Sequence, residues 1–185
     1  MTARPILIWP DPELLKMSKP VTAFDASLRT LARDMFDTMY EAEGVGLAAP
    51  QIGVHLRVVV VDIRSYDREQ PSGPAEVPSG EEPLVLVNPV FTNRAGELEW
   101  EEGCLSVPGE TGLVTRAARC TVTYQDVNGQ SHSLEAEGLK SVALQHECDH
   151  LDGKLFVDYL TRLRRGVIKK KMLKLQAELD ADAAG

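Results

Sequence analysis

His146 and His150 enclose Glu147 in an H-E-x-x-H pentad that reads as helix. An α-helix turns about 100° per residue, so two histidines four apart project from one face. Two neutral imidazoles so placed can hold one tetrahedral metal ion, and the carboxylate between them can act as base toward a water. The pentad fixes only three letters, and by itself it also fits an ordinary helix. A catalytic metal site needs a third protein ligand and one open position. Glu178 is available on a later helix, but that helix is full of lysines. The extended pattern with a third histidine fails: Gly153 matches its glycine, but Phe156 stands where the ligand would be. Among the cysteines, Cys148 points away from both histidines and Cys120 lies in a strand; both read as small core residues. Cys104 is the better candidate, in the polar bend Glu102-Gly103-Cys104-Leu105-Ser106 between strands. A loop thiolate there can reach a metal held by a helix, and the metal would keep it deprotonated. A buried free thiol fits those residues equally.

The surrounding chain must supply the elements that position these groups. Trp9-Pro10-Asp11-Pro12 reads as a turn, with Asp11 capping a short helix through Lys16. Asp25 or Ser27 can cap a helix to about Glu43, whose apolar face is Leu28, Leu31, Ala32, Met35, Phe36 and Met39, and which Gly44 and Gly46 end. Arg57–Ile63 reads as a buried strand, Leu84–Phe91 as a strand entering Asn88-Pro89, and Glu97–Glu101 and Leu113–Thr115 as short strands. Arg119–Asp126 and Gln130–Ala136 alternate around Asn128-Gly129, a hairpin signal. The pentad helix spans about Leu139–Leu151 and ends near Gly153. A last helix, about Arg162–Leu179, is expected to set Leu163, Val167, Leu175 and Leu179 on one side. Helix, strands, helix, helix in that order predicts an α+β fold with mostly antiparallel sheets around the central pentad helix.

The chain of 185 residues suits a single domain, 1–185. Ser65–Pro83, rich in Pro, Gly, Ser and Glu, reads as a long surface loop within that domain. Apolar content of 43% and charged content of 26% are ordinary for a globular protein. No apolar run approaches a membrane span, and the start lacks the pattern of a signal or transit peptide, so a cytoplasmic, unprocessed protein is expected. Three irregularly spaced cysteines argue against a disulfide framework. The formal charge of −8 is uneven, because Arg162–Lys174 holds seven basic residues and no acidic one. Such a helix can meet a polyanion, or simply be a solvated face beside a core stripe.

Three segments resemble, in order, the signature motifs of the peptide deformylases: Gly44-Val45-Gly46-Leu47-Ala48-Ala49-Pro50-Gln51, Glu102-Gly103-Cys104-Leu105-Ser106, and Gln145-His146-Glu147-Cys148-Asp149-His150-Leu151. Pro10-Asp11-Pro12, Asn88-Pro89, Val107-Pro108-Gly109, Val114-Thr115-Arg116 and Gly153-Lys154-Leu155-Phe156 extend the resemblance over nearly the whole chain. It implies Cys104, His146 and His150 as metal ligands with a water as the fourth. Glu147 would be general base and then acid. Gln51 and the backbone N–H of Leu105 would stabilise an oxyanion, and Gly46 would contact the substrate backbone. The implied reaction removes the formyl group from N-formylmethionyl nascent peptides. The implied metal is Fe²⁺, with Zn²⁺, Ni²⁺ or Co²⁺ as replacements. The basic C-terminal helix resembles the one through which bacterial relatives are thought to approach the ribosome.

Leu139, Val142 and Ala143 share the helix face of His146 and His150, at positions i, i+3, i+4 and i+7. With Val45 opposite, they are expected to form an apolar pocket for a methionine side chain, although core packing has the same pattern. Thr111 departs from the family, since many bacterial relatives carry an arginine there near the substrate cleft. The rival readings are an H-E-x-x-H metalloendopeptidase, which needs a different third ligand, and a structural zinc module, for which neither Cys148 nor His132 is well spaced. His55 and His132 read as surface or strand-end residues.

Overall fold

Four consecutive valines, Val58–Val61, form one strand and are all buried. A strand turns alternate side chains to opposite faces, so such a run requires cover on both sides. In the computed structural model, which describes residues 3–65 and 83–184, two helices provide it. The elements are α1 (Ala26–Glu41), β1 (Gly46–Ala48), β2 (Val58–Val61), β3 (Leu84–Ala95), β4 (Leu98–Cys104), β5 (Val107–Arg116), β6 (Arg119–Gln125), β7 (Ser131–Glu137), α2 (Gly138–Leu151) and α3 (Arg162–Ala184). Val58 and Val60 face α1, against Leu28, Leu31, Met35 and Met39. Val59 and Val61 face α2, against Ala143, Leu144 and Leu151. The fold is α+β, as expected.

The five-stranded sheet runs β1-β2-β3-β6-β7, and β4 pairs with β5 in a separate two-stranded sheet. Every paired strand is antiparallel. β3 shifts register between Val87 and Val90, where Asn88 has φ +51°. The Asn88 side chain binds both the N–H and the C=O of Val21, which ties the N-terminal segment to the sheet. β4 and β5 are longer than the short strands expected around them. They are joined through Leu105-Ser106, so Cys104 is the last residue of a strand rather than part of a free bend.

Asp25 caps α1, its carboxylate accepting from the N–H groups of Ser27 and Leu28. Such a cap stabilises a helix by about 1 kcal/mol. The end of α1 differs from expectation. The left-handed residue is Glu43, with φ +55°, and neither Gly44 nor Gly46 has positive φ. Those glycines answer to close approach instead. A Cβ on Gly44 would sit 2.7 Å from Cδ1 of Leu105.

Only the α2 residues near its ends escape burial, because α2 is covered on all sides by both sheets and the segments that follow. A third apolar cluster joins Trp9, Val107, Val114, Phe156 and α3. Here the expected stripe of α3 is corrected. Ile168 and Met172 are buried, with Leu175 packed beside them, whereas Leu163, Val167 and Leu179 are exposed. A basic amphipathic helix offers two apolar stripes, and the docking surface chose the second. The expected surface loop Ser65–Pro83 lies, apart from its two ends, outside the described residues.

Candidate metal centre

The strand end and the helix bring three donors together. Cys104 Sγ and one ring nitrogen each of His146 and His150 all lie within 4.8 Å of one another. Cys104 Sγ is 3.4 Å from His150 Nε2. A tetrahedral ion bound at ordinary Zn–S and Zn–N lengths holds its sulfur and nitrogen about 3.5 Å apart. The donor set therefore fits a single metal ion. No other group of three or more such side chains is found among the described residues.

The two histidines are held differently. His146 Nδ1 lies 2.7 Å from Glu102 Oε2. A carboxylate can only accept, so Nδ1 carries the hydrogen and Nε2 is turned to the cluster. Burial lowers the His146 imidazole, but the Cys104 sulfur and the Glu102 carboxylate outweigh it and raise it well above the usual range. His150 is buried with its Nδ1 unbonded, and burial pushes it well below the usual range, leaving a neutral ring with a free lone pair.

Glu102 is itself held. Arg116 Nε and Nη2 donate to its two oxygens at 2.6 and 3.0 Å. Burial alone would raise the Glu102 carboxyl; Arg116 and His146 outweigh it and bring it down to about 2. Arg116 Nη1 continues to Asp149 at 2.6 Å, and the Tyr159 hydroxyl donates to the same Asp149 oxygen at 2.8 Å. Sequence reasoning assigned no role to Glu102, Arg116, Asp149 or Tyr159. Glu102 sits in one quoted motif and Asp149 in another, but nothing in the spacing shows that Arg116 joins them.

Glu147 is buried, and burial pushes its carboxyl up to about 7. Its Oε2 has no hydrogen-bond partner among the described residues. Gln51, also buried, has its amide orientation set on both sides. Its Oε1 accepts from Ala48 N–H at 2.8 Å, while Nε2 donates to Ser106 Oγ at 3.1 Å and lies 3.6 Å from Cys104 Sγ. Ser106 is a further supporting residue missed from sequence.

These groups open onto a cleft of about 600 Å³. Val45, Gly46, Gln51, Cys104, Leu105, His146 and Glu147 line it, as do Leu139, Val142 and Ala143 from α2. Thr111 also lines the cleft, and its hydroxyl donates to Glu101. His55 and His132 lie elsewhere, bonded to Glu13 and Asp126. Cys120 and Cys148 are buried core thiols.

The family model described as polypeptide deformylase matches residues 3–166. The peptide deformylase of Hahella chejuensis is 48% identical over 175 residues, covering 94% of this chain and 96% of its own. The crystal structure of a peptide deformylase from Legionella pneumophila superposes with a TM-score of 0.84 at 49% identity, covering 97% of this chain and 98% of its own. That of Ehrlichia chaffeensis peptide deformylase in complex with actinonin does so with 0.83 at 35% identity, covering 94% and 98%.

Proposed function

The chain belongs to the polypeptide deformylase family, and we propose how its own residues carry out that family's reaction, the release of formate from the N-terminal formylmethionine of newly made polypeptides. It is a hydrolase of that kind, and family membership favours this reading over a metalloendopeptidase. The observation that carries the residue roles is the convergence of Cys104, His146 and His150 beside the buried Glu147.

Cys104, His146 and His150 hold the ion. Fe²⁺ is the proposed metal in the cell, with Zn²⁺, Ni²⁺ or Co²⁺ as replacements, since thiolate and imidazole donors suit all four. A divalent ion in this site supplies Lewis acidity, which brings the pKa of water down toward about 7. Glu147 takes the proton of the attacking water and returns it to the leaving amine. As the formyl carbon is attacked, negative charge grows on its oxygen. The Gln51 amide and the Leu105 backbone N–H donate to that oxygen, and removing one such donor typically costs on the order of 10²–10³ in turnover. Gly46 contacts the substrate backbone through its own main chain. Leu139, Val142 and Ala143, with Val45 opposite, hold the methionine side chain.

Formate release from a formyl-Met tripeptide tests this, using protein loaded with Fe²⁺ or Ni²⁺ under reducing conditions beside its Glu147→Ala variant. Metal-dependent formate from the parent alone is expected. Equal turnover by the variant would remove Glu147 from its role.

No helix among the described residues is long and apolar enough to cross a membrane. We place the protein in the cytoplasm, where its nascent substrates emerge, and propose that α3 approaches the ribosome. Arg164, Arg165, Lys171 and Lys174 are engaged in ion pairs, whereas Arg162, Lys169 and Lys170 are exposed with no acidic partner among the described residues. Those three suit a polyanion. Ribosome co-sedimentation that weakens with salt, and with Arg162, Lys169 and Lys170 changed to Gln, is the expected result; salt-insensitive or absent binding would refute it.

A further inference from the structure

α3 is tied to the wall of the substrate cleft. Glu110, in β5, lines that cleft, yet its side chain is only 9% exposed. Both of its oxygens are held from α3, Oε1 by Lys171 Nζ at 2.6 Å and Oε2 by Arg164 Nη2 at 3.3 Å. Arg164 Nη2 also donates to the backbone oxygen of Thr111 at 3.2 Å. At the next residue of the strand, Leu160, just before α3, fills the space over Gly112, where a Cβ would meet its Cδ2 at 2.6 Å. The middle of β5 is thus pinned at three successive residues, Glu110, Thr111 and Gly112, by one helix and its entry. Gly109, with φ +76°, precedes the pinned residues, so the wall carries a bend that the strand pairing alone does not brace.

The reacting formyl group must sit near Glu147, and the apolar residues of α2 beside it take the methionine side chain. A peptide that continues beyond methionine then runs on through the same cleft, whose lining includes Glu110 and Thr111. We propose that Arg164 and Lys171 are positioning residues: from α3 they set the Glu110–Thr111 wall and thereby govern the binding of residues downstream of formylmethionine. The inference rests on the deformylase reading of the same cleft.

The test is a comparison of substrates of increasing length. KM and kcat are measured for formyl-Met, formyl-Met-Ala and formyl-Met-Ala-Ser with the metal-loaded parent, the Arg164→Met/Lys171→Met double variant and the Arg164→Lys/Lys171→Arg exchange. Both positions are about half exposed, so the helix core is undisturbed. For the double variant, KM for the tripeptide is expected to rise about threefold to tenfold, the span of one or two partly exposed ion pairs. kcat, and all constants for formyl-Met, should stay as in the parent. The exchange variant should recover most of the tripeptide KM. An equal change on formyl-Met and the tripeptide would show a general structural role and overturn the proposal, as would no change on either. Absence of formate from every substrate with the folded, metal-loaded parent would instead overturn the deformylase reading beneath it.

Discussion

Gly46 and Glu147 occupy each other's space: a Cβ built on Gly46 would lie 2.5 Å from Oε1 of Glu147 and 2.8 Å from its Cγ. The residue is in β1 with ordinary backbone angles, so its glycine is required by contact and not by a turn. Gly46→Ala must therefore displace the carboxylate or the strand. Its kcat is expected to fall by at least about tenfold, the scale of a small misplacement at a reacting group, while metal content by elemental analysis stays at one ion. Unaltered turnover would mean Glu147 can relocate freely.

Glu102 orients a metal-ligating histidine, and such outer partners typically change metal affinity by about 10–100-fold. Glu102→Gln should lose its metal to a competing chelator correspondingly faster. Arg116→Met leaves Glu102 buried without its main cation, and breaking a buried pair in this way costs about 3–5 kcal/mol. Denaturant unfolding of the metal-free protein measures that cost without interference from the ion.

The apolar wall of α2 is open to a direct steric trial. Ala143→Trp should lower kcat/KM for formyl-Met substrates by about tenfold or more, as overfilling a close-packed site does, with metal still bound. Kinetics equal to the parent would remove Ala143 from the methionine pocket.

Away from the metal, Asp62 offers a pH prediction. Burial raises its carboxyl, but two hydrogen bonds from the Arg64 guanidinium, at 2.6 and 2.7 Å, one from Tyr40 and one from the Arg64 backbone N–H outweigh this and leave it lowered. A carboxyl lowered in the folded state stabilises the fold above its unfolded value of about 3.9 and loses that stabilisation as pH falls through the folded value. The parent should thus exceed Arg64→Met in stability at pH 7, and the gap should narrow below about pH 4. A gap that widens in acid would contradict the pairing.

The register of α3 can be read from two truncations. Ile168→Ala removes a fully buried side chain and should cost about 2–5 kcal/mol. Leu163→Ala removes an exposed one and should change stability by no more than about 0.5 kcal/mol. The opposite ranking would restore the stripe expected from the sequence.

Local spacing was enough for what depends on one element. A helix turns by a constant angle, so the common face of His146 and His150, and of Leu139, Val142 and Ala143 before them, could be read directly. The hairpin around Asn128-Gly129 and the two-sided burial of Val58–Val61 follow from the same kind of regularity. Cys104 as third ligand came from family resemblance, because geometry alone left it equal to a buried thiol. The remaining features arise between elements. Arg116 reaches Glu102 only through the pairing of β4 with β5, and reaches Asp149 because α2 packs beside them. Neither partner lies at a helix or strand repeat from the other, so no periodicity could reveal the link. α3 carried two plausible apolar stripes, and burial against Trp9, Val107 and Phe156 selected Ile168 and Met172. Gly46 reads as a helix terminator until α2 sets Glu147 against it. Periodicity constrains angles within an element, whereas contacts among side chains distant in sequence exist only once the elements have packed.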